Sequence, residues 1–152
     1  MIDFTEEIEY EIEYFGTHGM PEYKTSGSSG MDLRAEIEES VVLEPYKAKL
    51  IPTGIKVALP VGIEMQIRCR SGLALKNQII VLNAPGTIDS DYRGEVGVIL
   101  FNASDTAFTI EPGMRIAQAV FAHYVNGKPI LVDKISEDTE RGAGGYGHTG
   151  VK

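Results

Sequence analysis

Apolar and polar residues alternate at every second position over much of the chain. Ile63, Met65, Ile67 and Cys69 alternate with Glu64, Gln66, Arg68 and Arg70, which predicts a strand with one dry and one wet face. Ile55, Val57 and Leu59 alternate with Lys56 and Ala58 in the same way. The runs Ile79-Ile80-Val81-Leu82 and Val96-Gly97-Val98-Ile99-Leu100-Phe101 contain no polar side chain and predict strands buried on both faces. Arg115 to Phe121 predicts another strand, with a continuation through His123-Tyr124-Val125 left open. Only Ser71 to Asn77 has helix propensity, for about two turns. In the acidic N-terminal segment, residues 1–19, Ile8, Tyr10, Ile12 and Tyr14 alternate; the segment either adds an edge strand or stays loose.

Turn signals separate these runs at short intervals: Glu44-Pro45, Ile51-Pro52-Thr53-Gly54, Pro60-Val61-Gly62, Ala84-Pro85-Gly86 and Glu111-Pro112-Gly113. In each Pro-Gly pair proline presets φ and glycine takes φ > 0, which predicts a type II turn. Many short strands punctuated this way make an all-β sandwich or barrel with one short helix. The length, 152 residues, fits one domain spanning 1–152.

Composition narrows the function. A net charge of −8 argues against tracking a nucleic-acid backbone, which demands clustered Lys and Arg. It does not exclude a small polyanion: a cation about 4 Å from a phosphate near the surface gains on the order of 4 kcal/mol before desolvation. No apolar run approaches the ~18 residues of a membrane span. The start, Met1-Ile2-Asp3-Phe4-Thr5-Glu6-Glu7, lacks the basic and apolar regions of a secretory signal, and Cys69 is the single cysteine. Together these predict a cytoplasmic protein, or a nuclear one in a eukaryote. His18, His123 and His148 have no metal-ligand spacing with Cys69, which argues against zinc.

Several stretches carry chemistry beyond a core. In Arg68-Cys69-Arg70-Ser71-Gly72-Leu73, Arg70 ends a strand and Ser71-Gly72 opens the helix, where free amides, a hydroxyl and a missing side chain suit an anion. The plain alternative is an N-cap serine beside a solvated arginine. Asn83 through Glu95 is the densest polar stretch and predicts a protruding hairpin or loop. Asp89 and Asp91 could activate a water or collect a metal, and Asn83 and Tyr92 could read a base and a sugar. The alternative there is a polar turn with Asp91 paired to Arg93. Asp32, in Ser29-Gly30-Met31-Asp32-Leu33-Arg34-Ala35, caps, pairs with Arg34, or serves a site. Gln118 interrupts an apolar strand, so it bonds its neighbours or faces a ligand. Finally, Arg141 to Gly150 holds five glycines, one arginine and one aromatic, unusable in a core and suited to a phosphorylated, ring-bearing ligand. A disordered, solubilising tail is the alternative.

Taken in chain order, from Ser29–Ala35 through Arg70–Ala74, Asn83–Glu95 and Arg115–Gln118 to Arg141–Gly150, those five stretches resemble the homotrimeric dUTP pyrophosphatases (dUTPases), with the resemblance covering roughly Pro21 to Lys152. It implies a jelly-roll-like β fold and a homotrimer whose sites lie between subunits. A mobile C-terminal glycine-rich arm, residues 140–152, would close over nucleotide. It implies dUTP as substrate and Mg²⁺ as cofactor, with neither nucleic acid nor membrane as partner. Such an enzyme splits dUTP to dUMP and pyrophosphate, keeps uracil out of DNA and supplies dUMP for dTMP synthesis. By position, Asp89 activates the attacking water. Asn83, Thr87, Ile88 and Gly97 read uracil, and Tyr92 packs beneath deoxyribose. Arg70, Ser71, Gly72 and Gln118 hold phosphates or water, and Asp32 supports a hydrated Mg²⁺. Arg141 clamps phosphate, Tyr146 stacks on uracil and Gly147 donates a backbone N–H. Three positions depart from the usual pattern: Cys69 for proline, Tyr146 for phenylalanine and His148 for serine. A dCTP deaminase and a nucleotide-sensing module without turnover are the competing readings. The Asn83–Tyr92 hairpin and the arginine–glycine tail disfavour the first, and Asp89 with Arg141 the second.

Overall fold

The alternating segments pair into a jelly-roll-like β-sandwich in a computed structural model that describes residues 6–151. Among those residues the chain forms β1 (Glu11–Tyr14), β2 (Met31–Arg34), β3 (Val41–Leu43), β4 (Ala48–Pro52), β5 (Ile55–Ala58) and β6 (Ile63–Arg68). After helix α1 (Ser71–Asn77) come β7 (Ile79–Val81), β8 (Gly86–Ile88), β9 (Gly97–Asn102), β10 (Phe108–Ile110) and β11 (Arg115–His123). One sheet has the order β2-β11-β6-β8 and a second the order β4-β9-β7, with pairs β1-β5 and β10-β3 beside them. All these pairings are antiparallel.

The inward residues of these strands form one apolar cluster. Met65 and Ile67 of β6, Leu33 of β2, Ala117 and Ala119 of β11, and Val98 and Leu100 of β9 are all buried in it. Removing such surface from water is the main stabilising term, at about 25 cal/mol per Å². The runs expected to be buried on both faces are buried on one: Ile79 and Val81 face the core, whereas Leu82 is 52% exposed. Likewise Val98, Leu100 and Asn102 of β9 are buried while Gly97, Ile99 and Phe101 are half-exposed. Among the described residues the outer face of this sheet is only partly covered, so the apolar run reports an outer surface and not a second core.

The two Pro-Gly pairs behave differently. At Glu111-Pro112-Gly113 the glycine takes φ +75° and Met114 N–H reaches the Glu111 carbonyl at 3.1 Å, as a type II turn requires. At Ala84-Pro85-Gly86 the Ala84–Pro85 peptide is cis, and Gly86 enters β8 directly. Here Gly86 serves close packing: a Cβ on it would lie 3.2 Å from Cβ of Ile67. Strand β11 ends at His123, with Tyr124 N–H adding one bond to the Gly62 carbonyl.

The acidic N-terminal segment does add a strand. β1 pairs with β5 from Glu11↔Ala58 to Tyr14↔Ile55. Ile12 and Tyr14 pack on the core and the carboxylates of Glu11 and Glu13 point to water. Residues 1–5 of that segment, and Lys152 at the other end, lie outside the described residues.

Candidate active site

Six of the residues singled out in the sequence line one open cleft of about 480 Å³: Asn83, Thr87, Ile88, Asp89, Tyr92 and Gly97. Topology explains the gathering. Strands β7 and β9 pair with each other, but the segment between them leaves their sheet to pair as β8 with the edge of β6, Met65↔Ile88 to Ile67↔Gly86. The excursion opens a cleft whose apolar wall is Leu50, Pro52 and Ile99 and whose polar wall is the excursion itself. Gly97 is small for a reason: a Cβ there would fall 2.6 Å from Cδ1 of Leu50. A flat ring can lie against the apolar wall while the Asn83 amide and the β8 edge offer donors and acceptors to its rim.

Asp89 follows β8 directly and is exposed. Its backbone carbonyl accepts the Tyr92 N–H at 3.1 Å, closing a turn over Asp89–Tyr92. Among the described residues its carboxylate has no hydrogen-bond or ion-pair partner, which leaves it free to accept a proton from water. The alternative pairing of Asp91 with Arg93 is absent: Arg93 Nη1 donates to the carbonyls of Ser90 at 2.7 Å and Tyr92 at 3.0 Å. Tyr92 is 43% exposed; its hydroxyl donates to the Glu95 carbonyl at 2.9 Å.

Arg70, Ser71, Gly72, Gln118 and Asp32 gather elsewhere, around the end of β6. None of them lines the cleft. Asp32 does not pair with Arg34, whose Nη1 goes to the Gly113 carbonyl. Its Oδ1 instead accepts Arg70 Nε at 3.1 Å and its Oδ2 accepts Arg115 Nη1 at 3.1 Å. Arg70 Nη1 also donates to the Arg115 carbonyl at 3.1 Å. Two fixed guanidiniums share one carboxylate, so the group carries a net positive charge and aims unused N–H donors outward. Its chemistry suits phosphate. Gln118 bonds a neighbour, through Nε2 to the Cys69 carbonyl at 2.9 Å, and steadies the strand end from which Arg70 projects. Ser71 is not the N-cap: Arg70 occupies that position with no side-chain cap bond, and Ser71 and Gly72 are exposed in the first helical turn with open space above Gly72.

These contacts make Asp32 the shared anchor of two arginines. Both of its oxygens are engaged by arginines, and two cations beside it oppose a third charge of the same sign. Among the described residues no three His, Cys, Asp or Glu side chains converge on a metal position.

Arg141, Tyr146 and Gly147 join neither group. Arg141 is exposed and donates Nε to the Gly144 carbonyl at 2.9 Å, inside its own loop. Tyr146 is fully exposed, with φ +51°, a left-handed conformation uncommon outside glycine. Two residues beside these groups were given no role of their own from the sequence. Arg115 was read as the start of a strand, because its meeting with Asp32 depends on the β2–β11 register. Glu95, whose Oε1 accepts the Gly54 N–H at 3.0 Å, is a charge directly before an apolar run, which was a readable signal.

A family profile for dUTPase matches residues 17–150. A deoxyuridine 5'-triphosphate nucleotidohydrolase of Treponema denticola is 60% identical over 132 residues, covering 87% of this chain and 91% of that protein. One from Chlamydia pneumoniae is 56% identical over 132 residues, with the same 87% and 91% coverage. Among solved structures, a Staphylococcus bacteriophage 80alpha dUTPase with dUPNHPP has a TM-score of 0.84 at 26% identity, covering 94% of this chain and 99% of that one.

Proposed function

The chain belongs to the dUTPase family, and from that premise we propose that it hydrolyses dUTP to dUMP and pyrophosphate. The observation that carries this reading is the cleft, where a free carboxylate, an amide, a strand edge and an exposed tyrosine stand around a space of about 480 Å³. Uracil enters against Leu50 and Ile99 and is read by Asn83 and the β8 edge. An amide pair at the pyrimidine rim rejects cytosine, because a mismatched donor leaves a buried polar group unpaired. Tyr92 lies beneath the sugar and leaves no room for a 2′-hydroxyl.

Asp89 accepts a hydrogen bond from a water and turns its oxygen lone pair toward the α-phosphorus. As the new O–P bond forms, the water's proton passes to Asp89 and the bridging bond to the β-phosphate breaks. Charge then grows on the departing pyrophosphate, where Arg70, held by Asp32, and the Arg141 of the arm offset it. Mg²⁺ bound to the triphosphate would spread the phosphate charge beside Arg70 and Arg141, with Asp32 supporting it through water.

The phosphate-side arginines and the uracil cleft are separate within one chain, and the arm touches neither. A homotrimer resolves this by letting the Asp32, Arg70 and Gln118 stretches come from one copy, the Asn83–Glu95 hairpin from a second and the arm from the third. Residues 140–152 then act as a lid. The proposed work is to keep dUTP low, preventing uracil incorporation into DNA, and to supply dUMP, in the cytoplasm or, in a eukaryote, the nucleus.

Pyrophosphate release from dUTP, dTTP, dCTP and UTP with Mg²⁺ tests the reading. Turnover should be confined to dUTP, and Asp89→Asn should lose roughly a thousandfold or more while still binding nucleotide. Release of ammonia from dCTP, or an undiminished Asp89→Asn variant, refutes it.

A further inference from the structure

Segment Asp89–Glu95 has no strand of its own, yet it carries both Asp89 and Tyr92. Its first end is fixed by the pairing of β8 with β6. Its second end is fixed at Val96, fully buried, whose N–H meets the Ile55 carbonyl at 2.9 Å and whose carbonyl accepts the Thr53 hydroxyl. One residue earlier, Glu95 reaches back with its side chain to the same β4–β5 turn and takes the Gly54 N–H at 3.0 Å. An N–H bonded to a carboxylate is roughly twice as strong as a neutral pair.

The turn that Glu95 grips cannot drift. Gly54 takes φ +72°, and a Cβ on it would lie 3.0 Å from both Cα of Gly16 and Cγ of Glu36. Its carbonyl accepts the Phe15 N–H at 3.0 Å, just beyond β1. The acidic N-terminal strand is thereby tied through Gly54 to Glu95. On the other side, the Glu95 carbonyl is the acceptor for the Tyr92 hydroxyl at 2.9 Å. The Tyr92 ring folds over Gly94, where a Cβ would come within 2.6 Å of its Cζ. No core packing holds this ring, since Tyr92 is 43% exposed. Its pose therefore depends on where the Glu95 peptide sits.

We propose that Glu95 is a positioning residue: anchored on Gly54, it sets the pose of Tyr92 and the adjoining Asp89, and through Tyr92 the discrimination between deoxyribose and ribose. The sugar half of this inference rests on the dUTP reading. Displacing a reacting group by a fraction of an ångström is enough to slow chemistry markedly. Gln preserves the acceptor atom and Ala removes it, so the two variants separate position from mere occupancy.

The test compares the full-length parent with Glu95→Gln, Glu95→Ala and Tyr92→Phe. Glu95→Ala should lower kcat on dUTP by about tenfold or more and narrow the dUTP-to-UTP ratio of kcat/KM by about fivefold. Glu95→Gln should restore most of both. Tyr92→Phe should narrow the ratio alike, and the double variant should cost less than the two singles multiplied. Amide exchange over residues 89–96 should quicken in Glu95→Ala while strand β6 stays protected. A ratio unchanged in Glu95→Ala, or exchange no faster than the parent's, overturns the proposal. If the parent leaves dUTP uncut, the functional reading fails, and exchange alone still decides whether Glu95 holds the segment.

Discussion

Arg70 and Arg141 carry the same charged fork and are treated oppositely by the fold. Arg70 leaves the end of a core strand, gives Nε to Asp32 and Nη1 to the Arg115 carbonyl, and is largely fixed before any ligand arrives. Among the described residues the Arg141 guanidinium meets only the carbonyl of Gly144, three residues on in its own loop. The aromatic residues repeat the contrast: Tyr92 is tethered to Glu95, whereas Tyr146 is bare. The tail's bonds reach no further than the preceding residue: Gly142 N–H to Thr139 Oγ1, Gly144 N–H to Arg141, His148 N–H to Gly145 and Gly150 N–H to Gly147. One region is organised by its own core and loses little entropy on binding. The other must be ordered by something outside that core, which is how a lid differs from a pocket wall.

Removing the tail puts the largest strain on that contrast. Deletion of residues 140–152 should cut dUTP turnover by roughly a hundred- to a thousandfold. The thermal midpoint should stay within about 1 °C of the parent, because no buried contact is lost. Pyrophosphate release and a melting curve on the same preparation check both halves. A truncated chain working at the parental rate would show that Arg141 and Tyr146 are bystanders.

Local signals were legible in the sequence and long-range ones were not. Period-two alternation located β5, β6 and β11, and the single stretch with helix propensity coincides with α1. The short strands β3, β4 and β10 gave no sufficient signal; each is three to five residues long, and β4 and β10 are broken by Lys49 and Thr109. The cleft residues were readable because they lie within fifteen positions of one another along the chain, Asn83 to Gly97. The partnership of Asp32 with Arg70 and Arg115 was not, since it spans 38 and 83 positions and is set by β2–β11 register. Whether an apolar run is buried on both faces was also beyond the sequence: a sheet's outer face is as apolar when it awaits a partner as when it is covered.

Asp32→Ala sharpens the comparison by making Arg70 resemble Arg141. Without the shared carboxylate, the two guanidiniums repel and lose their fixed aim. KM for dUTP should rise by about tenfold, with a smaller fall in kcat, because ground-state and transition-state phosphate contacts weaken together. Asp32→Asn keeps one acceptor oxygen and should fall between. Steady-state kinetics on both variants decide it, and an unchanged KM would mean that the anchoring of Arg70 is irrelevant to binding.

The smallest effect concerns the point where the chain leaves its core. His123, the last residue of β11, has Nε2 2.9 Å from Glu6 Oε2. The hydrogen bond and then the charge of Glu6 raise its pKa above the ordinary 6.5. A raised folded value means that protonation favours the folded chain. The stabilisation is complete below about pH 6.5 and is lost as pH climbs through the higher folded value. The pair is exposed, so salt screens it and its contribution is slight. His123→Gln should therefore lower the thermal midpoint by about a degree near pH 5.5 in low salt, and by nothing measurable near pH 8.5 or in about 0.5 M salt. Turnover should not follow the midpoint, because this pair ties the N-terminal segment to the end of β11 and leaves residues 140–152 as free as before. A variant whose turnover falls in step with its midpoint would show that the lid is governed from its root, and would erase the line drawn here between anchored cleft and unanchored arm.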